Sequence, residues 1–284
     1  MAPAGVSEQY DLDKIRPAQL RLVVSDMDGT LLDPVTGEVP EEFWPVLAQL
    51  QERGIDFVPA SGRQYATLAR SFADHLAGLH IIADNGAYVV HDQAESSSNG
   101  LDWEVSRRIV TTGRELIAAG ARAATVISGK RSAYVEADDP AVLAEAGKYY
   151  AALERVEDLL QVDDDVLKIA IFDADDAQAN LEPALAGLRP QYQVVVSGQN
   201  WVDVMGDGVT KGDALGRLQK QLGVTAQQTA VFGDYLNDIE MLDRAEHSFA
   251  VANAHPEVFA HAKYVIPTAA ERGVVAALQR LLAR

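Results

Sequence analysis

Two acidic residues stand one position apart, directly after a short apolar run near the start of the chain. Asp26 ends the run VVSD, and Met27 separates it from Asp28 in VVSDMDGTLLD. Because alternate side chains of an extended chain point the same way, we expect Asp26 and Asp28 to approach one locus. Two carboxylates that close cannot both remain charged unless a cation or a shared proton intervenes. A divalent metal is the simpler solution, and oxygen ligands favour Mg²⁺ over a transition metal.

The pattern DxDG is also typical of turns and of the start of a calcium-binding loop. A twelve-residue calcium loop requires Gly at its sixth position and Glu at its twelfth. Counted from Asp26, these positions hold Leu31 and Gly37, which excludes that loop. A turn without chemistry remains the alternative.

A second candidate stretch is PASGR, where Ser61 follows an apolar run. Its hydroxyl can donate to an anionic oxygen, and the backbone N–H groups of Gly62 and Arg63 open a helix N-terminus suited to phosphate. Alternatively, Ser61 only caps that helix. The Arg63 side chain is expected either to pair with an acid or to contact a substrate.

A third stretch, GDGVTKGDAL, places Lys211 in the first turn of a predicted helix. The helix dipole disfavours a cation there, which suggests a function for Lys211. The alternative is an exposed lysine. The glycine spacing does not fit a P-loop.

A fourth stretch, VFGDYLNDIEML, ends a predicted strand at Asp234 and continues to Asn237 and Asp238. One acid at a helix start is ordinary capping. Three carboxylate or amide side chains so close to a strand end exceed what capping needs.

Strands that alternate with helices must position these residues. Apolar periodicity predicts strands at 21–25, 55–60 and 80–84, with helices at 41–54 and 63–76 between them. Such a β-α-β-α-β series indicates a parallel sheet, whose ligands gather at the carboxyl ends of the strands. The three predicted strands end close to Asp26, Ser61 and Asn85.

The character of the chain changes near residue 87. Residues 87–205 mix helices, including one predicted at 140–156, with adjacent strands, as an α+β insert would. The alternating pattern resumes afterwards. We therefore predict an α/β fold in which a doubly wound parallel-sheet core, 1–86 and 206–284, is interrupted by an inserted α+β cap at 87–205. The runs SSS (96–98) and DDD (163–165) are interpreted as solvated turns, and the polar N-terminus as a leader.

Composition excludes several classes of function. The net charge of −18, from 24 basic and 42 acidic residues, disfavours nucleic acid and anionic membranes. Zero cysteines exclude disulfides and fit a cytoplasmic protein. The six histidines lack zinc-ligand spacing. An anionic small molecule remains possible where cations concentrate locally, and the oligomeric state is left open between a monomer and a small homo-oligomer.

In this order, DMDGT, SGR, TKGDAL and GDYLND resemble the four motifs of the haloacid dehalogenase superfamily. The insert lies between the second and third motifs. With TKGxAL, NDxxML and VANAHPEV (251–258), the chain resembles the Cof-type sugar-phosphatase branch, which has a large α/β cap. The resemblance covers the core, whereas in the cap it rests on architecture alone.

The resemblance implies a Mg²⁺-dependent phosphatase that acts on a small phosphorylated metabolite, such as a sugar phosphate, through an aspartyl-phosphate. By the family's mechanism, Asp26 is the nucleophile and Asp28 the general acid and base. Mg²⁺ would bind the Asp26 carboxylate, the Asp28 backbone carbonyl and Asp234, with Asp238 supporting them.

The resemblance also assigns the remaining residues. Ser61, Lys211 and Asn237 would hold the phosphoryl oxygens, with Gly62 and Arg63 beside them, while Thr30 and Asn85 would lie just behind. Mg²⁺ and Lys211 would then supply the local positive charge. Tyr235 departs from the family's usual smaller or polar residue and is expected to narrow the entrance.

Other functions remain as alternatives. These are a phosphomutase, a phosphatase of another metabolite such as a nucleotide or cofactor precursor, and a non-catalytic phosphometabolite-binding protein. An acid at position 28 disfavours C–halogen cleavage, which has no need of it.

Overall fold

The computed structural model describes residues 11–16, 18–189, 191–198 and 200–283. The first ten residues of the predicted leader lie outside this range. The strands are β1 (Leu22–Asp26), β2 (Asp56–Ala60), β3 (His80–Ala83), β4 (Tyr88–His91), β5 (Ala94–Ser98), β6 (Ala123–Gly129), β7 (Ala133–Val135), β8 (Leu153–Arg155), β9 (Val166–Asp173), β10 (Gln193–Gly198), β11 (Trp201–Met205), β12 (Thr229–Gly233), β13 (His247–Val251) and β14 (Tyr264–Ile266).

The α-helices of the described residues vary widely in length. They are α1 (Trp44–Glu52), α2 (Tyr65–Ser71), α3 (Trp103–Ala118), α4 (Pro140–Ala146), α5 (Ala177–Asn180), α6 (Glu182–Leu185), α7 (Lys211–Leu222), α8 (Ile239–Leu242) and α9 (Gly273–Leu282). In the part of the chain that the structure describes, no helix is long and apolar enough to span a membrane.

The first sheet has eight strands in the order β14-β13-β12-β1-β2-β3-β4-β5. From β14 to β3 neighbouring strands are parallel, while β4 and β5 are antiparallel additions at one edge. Apolar residues of α1, α2, α7, α8 and α9 share one buried core with these strands. The α/β prediction with a parallel sheet is therefore confirmed, because strands with apolar side chains on both faces need helices to cover them.

The division into a core and a cap remains a prediction. The change in sequence pattern near residue 87 does not coincide with the end of the first sheet. Residues 88–98 pair with the first sheet, although the predicted insert begins at 87. The run at 96–98 lies in β5 and not in a turn. Its side chains are mostly exposed, so no apolar alternation marks the strand, and backbone pairing with β4 determines it.

The second sheet has six strands in the order β10-β11-β9-β6-β7-β8. Its pairs are antiparallel except for β7 and β8, which are parallel. Apolar residues of α3, α5 and α6 pack on one face of this sheet. The other face carries Lys168, Trp201 and Asp203, which line a cavity against the carboxyl ends of the first sheet.

The helix predicted at 140–156 is wrong in its second half. It ends at Ala146, and residues 153–155 form β8. Between them, the chain hydrogen-bonds to the start of α2. The Thr67 hydroxyl donates to the Tyr149 carbonyl at 2.7 Å, and the Ala152 N–H donates to Oε1 of Gln64 at 3.1 Å. These tertiary hydrogen bonds override the helical periodicity of the sequence.

The run at 163–165 is only partly the solvated turn that was predicted. Asp163 is fully exposed, but the Asp164 side chain is 3% exposed. Its Oδ2 accepts hydrogen bonds from the Tyr134 hydroxyl and the Arg131 N–H, both at 2.9 Å. Asp164 therefore holds the turn between β6 and β7 in place.

Gly86 allows the chain after β3 to lie against the start of α7. Its φ is +99°, and a Cβ at this position would lie 2.4 Å from the carbonyl oxygen of Thr210. Both the conformation and the distance require glycine. This contact fixes the position of the helix that begins with Lys211.

We expect Gly86→Ala to lower the free energy of unfolding by about 3 kcal/mol, from left-handed strain and the clash together. The matched control is Gly78→Ala, where φ is +72° but nothing lies within 4 Å of the added Cβ. That change should cost about 1 kcal/mol, from strain alone. Urea unfolding of both variants measures the difference, and equal costs would contradict the close approach at Gly86.

Candidate active site

Three carboxylates meet at the carboxyl ends of neighbouring strands. Asp26 ends β1, Asp234 directly follows β12, and Asp238 lies in the turn before α8. Because β1 and β12 are parallel neighbours, their ends lie at one edge of the sheet. Oxygens of Asp26, Asp234 and Asp238 lie within 4.8 Å of one another. We call these three residues the acid cluster.

Lys211 lies against the acid cluster. Its side chain is 1% exposed, and its Nζ donates to Oδ1 of Asp26 at 2.6 Å and to Oδ1 of Asp238 at 2.7 Å. The alternative of an exposed lysine is therefore wrong. Burial would lower the pKa of Lys211, but Asp238 and Asp26 outweigh it and raise the pKa above its ordinary value. Lys211 is consequently a fixed positive charge.

One ammonium does not balance three carboxylates. Removal from water raises the pKa values of Asp26 and Asp234, and neighbouring carboxylates raise them further, while Lys211 opposes the rise. Oδ2 of Asp26 is buried and has no hydrogen-bond partner among the described residues. A cluster of carboxylate oxygens with an unpartnered member fits a hard divalent cation such as Mg²⁺.

The turn Met27–Leu31 holds Asp234 against the end of β1. Gly29 has a φ of +80°, and a Cβ there would lie 2.3 Å from Oδ2 of Asp234. The Thr30 hydroxyl donates to Oδ1 of Asp234 at 3.1 Å. Gly29 and Thr30 thus bring two distant parts of the chain into contact.

Asp238 organises the backbone beneath the site. Its Oδ2 accepts hydrogen bonds from the N–H groups of Asp234 at 2.9 Å and Tyr235 at 3.1 Å. Its Oδ1 accepts from Lys211. Asp238 therefore fixes the positions of both the Asp234 backbone and the Lys211 ammonium.

Asp28 lies in the turn after β1, so strand alternation is not what places it near Asp26. Both side chains line one cavity. The Asp28 carboxylate accepts two hydrogen bonds from Arg63, from Nε at 2.7 Å and from Nη2 at 2.5 Å. Of the two alternatives for Arg63, pairing with an acid is the one observed. This two-point contact orients the Asp28 carboxylate.

Ser61 does not cap α2. That helix begins at Tyr65, after Gln64, and Gln64 makes no side-chain capping hydrogen bond. The buried Ser61 hydroxyl oxygen accepts from the Arg63 N–H at 3.1 Å. Ser61 and Gly62 both line the cavity that contains Asp26, so the capping alternative is wrong.

Asn85 and Asn237 join two strand ends. Nδ2 of Asn237 donates to Oδ1 of Asn85 at 3.0 Å, and Nδ2 of Asn85 donates to Oδ2 of Asp203 at 3.1 Å. Asn85 has a left-handed φ of 55°, which asparagine tolerates. The pair continues the site from the acid cluster's edge toward the second sheet.

The cavity that these residues line has a volume of about 280 Å³. Tyr235 also lines it. Sequence reasoning missed the wall formed by the second sheet and the loop before β8, namely Tyr149, Tyr150, Lys168, Ser197, Trp201 and Asp203. A signal was present for two of them, because Lys168 and Asp203 interrupt the apolar strands VLKIAIF and WVDVM.

Known proteins resemble the chain over nearly its whole length. A family profile described as haloacid dehalogenase-like hydrolase matches residues 23–278. A 5-amino-6-(5-phospho-D-ribitylamino)uracil phosphatase of Escherichia coli is 32% identical over 265 residues, covering 93% of this chain and 96% of that protein. An HMP-PP phosphatase of Cronobacter sakazakii is 28% identical and covers 84% and 87%. A crystal structure from Streptococcus mutans superposes with a TM-score of 0.85 at 28% identity, covering 93% and 100%.

The excess of carboxylates predicts how stability responds to pH and Mg²⁺. An acid whose pKa is raised on folding binds more protons in the folded state, so stability falls as pH rises above the ordinary pKa of 3.8. We expect the melting temperature of EDTA-treated protein to fall between about pH 5 and about pH 8. Because Mg²⁺ competes with protons for the carboxylates, it should raise the melting temperature more at the higher pH.

Two variants control this measurement. Asp234→Asn removes one carboxylate of the acid cluster and should reduce both the pH dependence and the shift caused by Mg²⁺. Asp163→Asn makes the same change at a fully exposed position and should alter neither. An equal Mg²⁺ shift in the two variants would place the cation elsewhere.

Proposed function

Because the chain belongs to the haloacid dehalogenase-like hydrolases and is a phosphoric monoester hydrolase, we propose that it cleaves small phosphorylated sugars or polyols in a Mg²⁺-dependent reaction. The observation that carries the proposal is the buried contact between Lys211 and Asp26 within the acid cluster. The Asp26 carboxylate, the Lys211 ammonium and the other carboxylates of the acid cluster lie together, and Asp26 and Asp234 line the cavity. Phosphoryl transfer needs such positioning and charge stabilisation.

In the proposed reaction, a carboxylate oxygen of Asp26 attacks phosphorus, and the bond from phosphorus to the alcohol oxygen breaks. Asp28, which enters this step protonated, gives its proton to that oxygen as the alcohol leaves. Asp28 then takes a proton from water, whose oxygen attacks the phosphorus of the aspartyl-phosphate. The Asp26 carboxylate and inorganic phosphate are released, so the enzyme returns to its initial state.

The remaining residues hold the phosphoryl group. Lys211 lies beside Asp26, and we assign the Ser61 hydroxyl and the Asn237 amide to the phosphoryl oxygens. Thr30 supports Asp234 through its hydrogen bond, and Asn85 supports Asn237. Mg²⁺, held by Asp26, Asp234 and the Asp28 carbonyl, would neutralise charge on the phosphate.

Two observations support a small, hydroxylated substrate. The cavity volume of about 280 Å³ is at the lower end for ligand sites. The Escherichia coli relative is named for a substrate whose phosphate is carried by a ribityl chain, which is a polyol. That name also favours a second candidate, a phosphorylated polyol joined to a ring, and the aromatic side chains of Tyr149 and Trp201 in the cavity wall are compatible with it.

We expect the protein to hydrolyse p-nitrophenyl phosphate with Mg²⁺ and to lose this activity in EDTA. Asp26→Asn should lower kcat by at least about 1,000-fold, because the amide cannot act as the nucleophile. Asp163→Asn is the matched control at an exposed position and should retain full activity. Metal-independent turnover, or an active Asp26→Asn variant, would contradict the proposal.

A separate experiment tests Asp28. p-Nitrophenolate leaves without a proton, so Asp28→Asn should still form the aspartyl-phosphate from p-nitrophenyl phosphate but should hydrolyse it slowly. We expect a burst of about one equivalent of p-nitrophenol, followed by turnover reduced by about 100-fold or more. Stopped-flow absorbance measures both phases. Unchanged steady-state turnover would assign the acid and base role to another residue.

A further inference from the structure

Asp203 is a carboxylate buried in the middle of a strand of the second sheet. It lies on β11 and is 3% exposed, in a strand whose other members are apolar. Its Oδ2 accepts hydrogen bonds from Nζ of Lys168 and Nδ2 of Asn85, each at 3.1 Å. Among the described residues, both hydrogen bonds that Asp203 accepts end on this one oxygen. Asp203 lines the cavity, and its Oδ1 accepts no hydrogen bond from the residues that the structure describes.

Lys168 fixes Asp203 from the neighbouring strand, β9. It is also 3% exposed, and its Nζ donates to the Gly62 carbonyl at 2.7 Å and lies 3.7 Å from Oδ1 of Asp84. Burial would lower the pKa of Lys168, but Asp203, Tyr150 and Asp84 together outweigh it and raise the pKa above its ordinary value. Lys168 thus remains charged, and its donors are directed to protein acceptors.

The position of Asp203 relative to the acid cluster defines what it can contact. Asp26, Asp28 and Asn237 line the first-sheet end of the cavity, whereas Asp203 and Trp201 line its second-sheet wall. Asn85 joins the two walls through hydrogen bonds to both Asn237 and Asp203. Because Asp26 and Asp203 line the same cavity, we place the alcohol portion of a phosphomonoester with its phosphorus at Asp26 against the second-sheet wall.

The chemistry of that wall selects the alcohol. An ionised carboxylate only accepts hydrogen bonds, so a group facing Asp203 must be a donor, and a second anionic group would be repelled. The rings of Tyr149 and Trp201, with centroids 5.8 Å apart, offer apolar surface to carbon-bound hydrogens. A chain or ring that carries hydroxyl groups presents both kinds of surface.

We propose that Asp203 is a specificity-determining residue that accepts hydrogen bonds from hydroxyl groups of the leaving alcohol, and that Lys168 is the residue that positions it. The inference rests on the proposed phosphatase function and adds the residues that select the substrate. A site built to bind a hydroxyl discriminates strongly against an analogue that lacks it, because its buried polar group is then left unpaired.

The test compares ribitol 5-phosphate with pentyl phosphate, which has the same carbon chain without the hydroxyl groups. With Mg²⁺, the unmodified protein should favour ribitol 5-phosphate in kcat/KM by at least about 100-fold. Asp203→Asn should reduce this ratio by at least about tenfold. Asp175→Asn, an exposed acid of the same region paired with Arg122, is the matched control and should keep the ratio.

Lys168→Met should also reduce the ratio, mainly through KM for ribitol 5-phosphate. Because Lys168 acts through Asp203, the double variant should lose no more of the ratio than Asp203→Asn alone. Additive losses would overturn the positioning role. If circular dichroism shows that Asp203→Asn does not fold, two other measurements test the inference. The kcat/KM ratio of the unmodified protein tests whether hydroxyl groups are recognised, and the ratio in Lys168→Met tests whether the Lys168–Asp203 pair recognises them.

The outcomes separate the inference from the function on which it rests. Turnover of p-nitrophenyl phosphate with a ratio below about threefold, or with an unchanged ratio in folded Asp203→Asn, would overturn hydroxyl recognition by Asp203 alone. Loss of all Mg²⁺-dependent turnover in the unmodified protein would instead overturn the proposed phosphatase function, and with it the inference.

Discussion

A single buried ammonium, that of Lys211, lies between Asp26 and Asp238, and the rest of the site depends on this contact. Burying several carboxylates together is costly unless cations accompany them. The chain as a whole carries −18, so the compensating charge has to be built locally. Lys211 supplies part of it, and the unpartnered oxygen of Asp26 marks where a further cation fits. An anionic phosphate is then attracted to a site in an otherwise repulsive protein.

Parallel topology explains why the site could be anticipated from the sequence. Asp26, Ser61 and Asp234 each follow a predicted apolar strand, and the carboxyl ends of parallel strands share one edge. Local patterns could not reveal the contacts that cross the chain. For Arg63, the sequence left open whether it pairs with an acid or contacts a substrate. Neither Lys168 nor Asp203 was recognised as a cavity residue. Their partners lie 35 or more residues away, in elements whose pairing no local periodicity specifies.

Two of the wrong predictions have a common physical cause. A helix was expected through 140–156, and a turn at 96–98, because side-chain patterns were read without knowledge of backbone partners. In both places the backbone pairs with another strand: β8 pairs with β7, about 20 residues earlier, and β5 pairs with the preceding strand β4. Polar or short strands carry little periodic signal, so tertiary pairing decides their conformation. The apolar strands predicted at 21–25, 55–60 and 80–84, by contrast, agree with β1, β2 and β3 within about one residue at each end.

Hydrogen bonds between the start of α2 and the loop before β8 join the two sheets beside the cavity. Gln64 and Thr67 lie three and six positions after Ser61. Gln64 hydrogen-bonds to the backbone of Ala152, and Thr67 to the backbone of Tyr149. A movement of the second sheet away from α2 would have to break these hydrogen bonds, each worth about 1 kcal/mol net. Residues 61–67 therefore both line the cavity and hold the loop before β8. Any displacement of the second sheet would therefore be transmitted to the loop that carries Ser61.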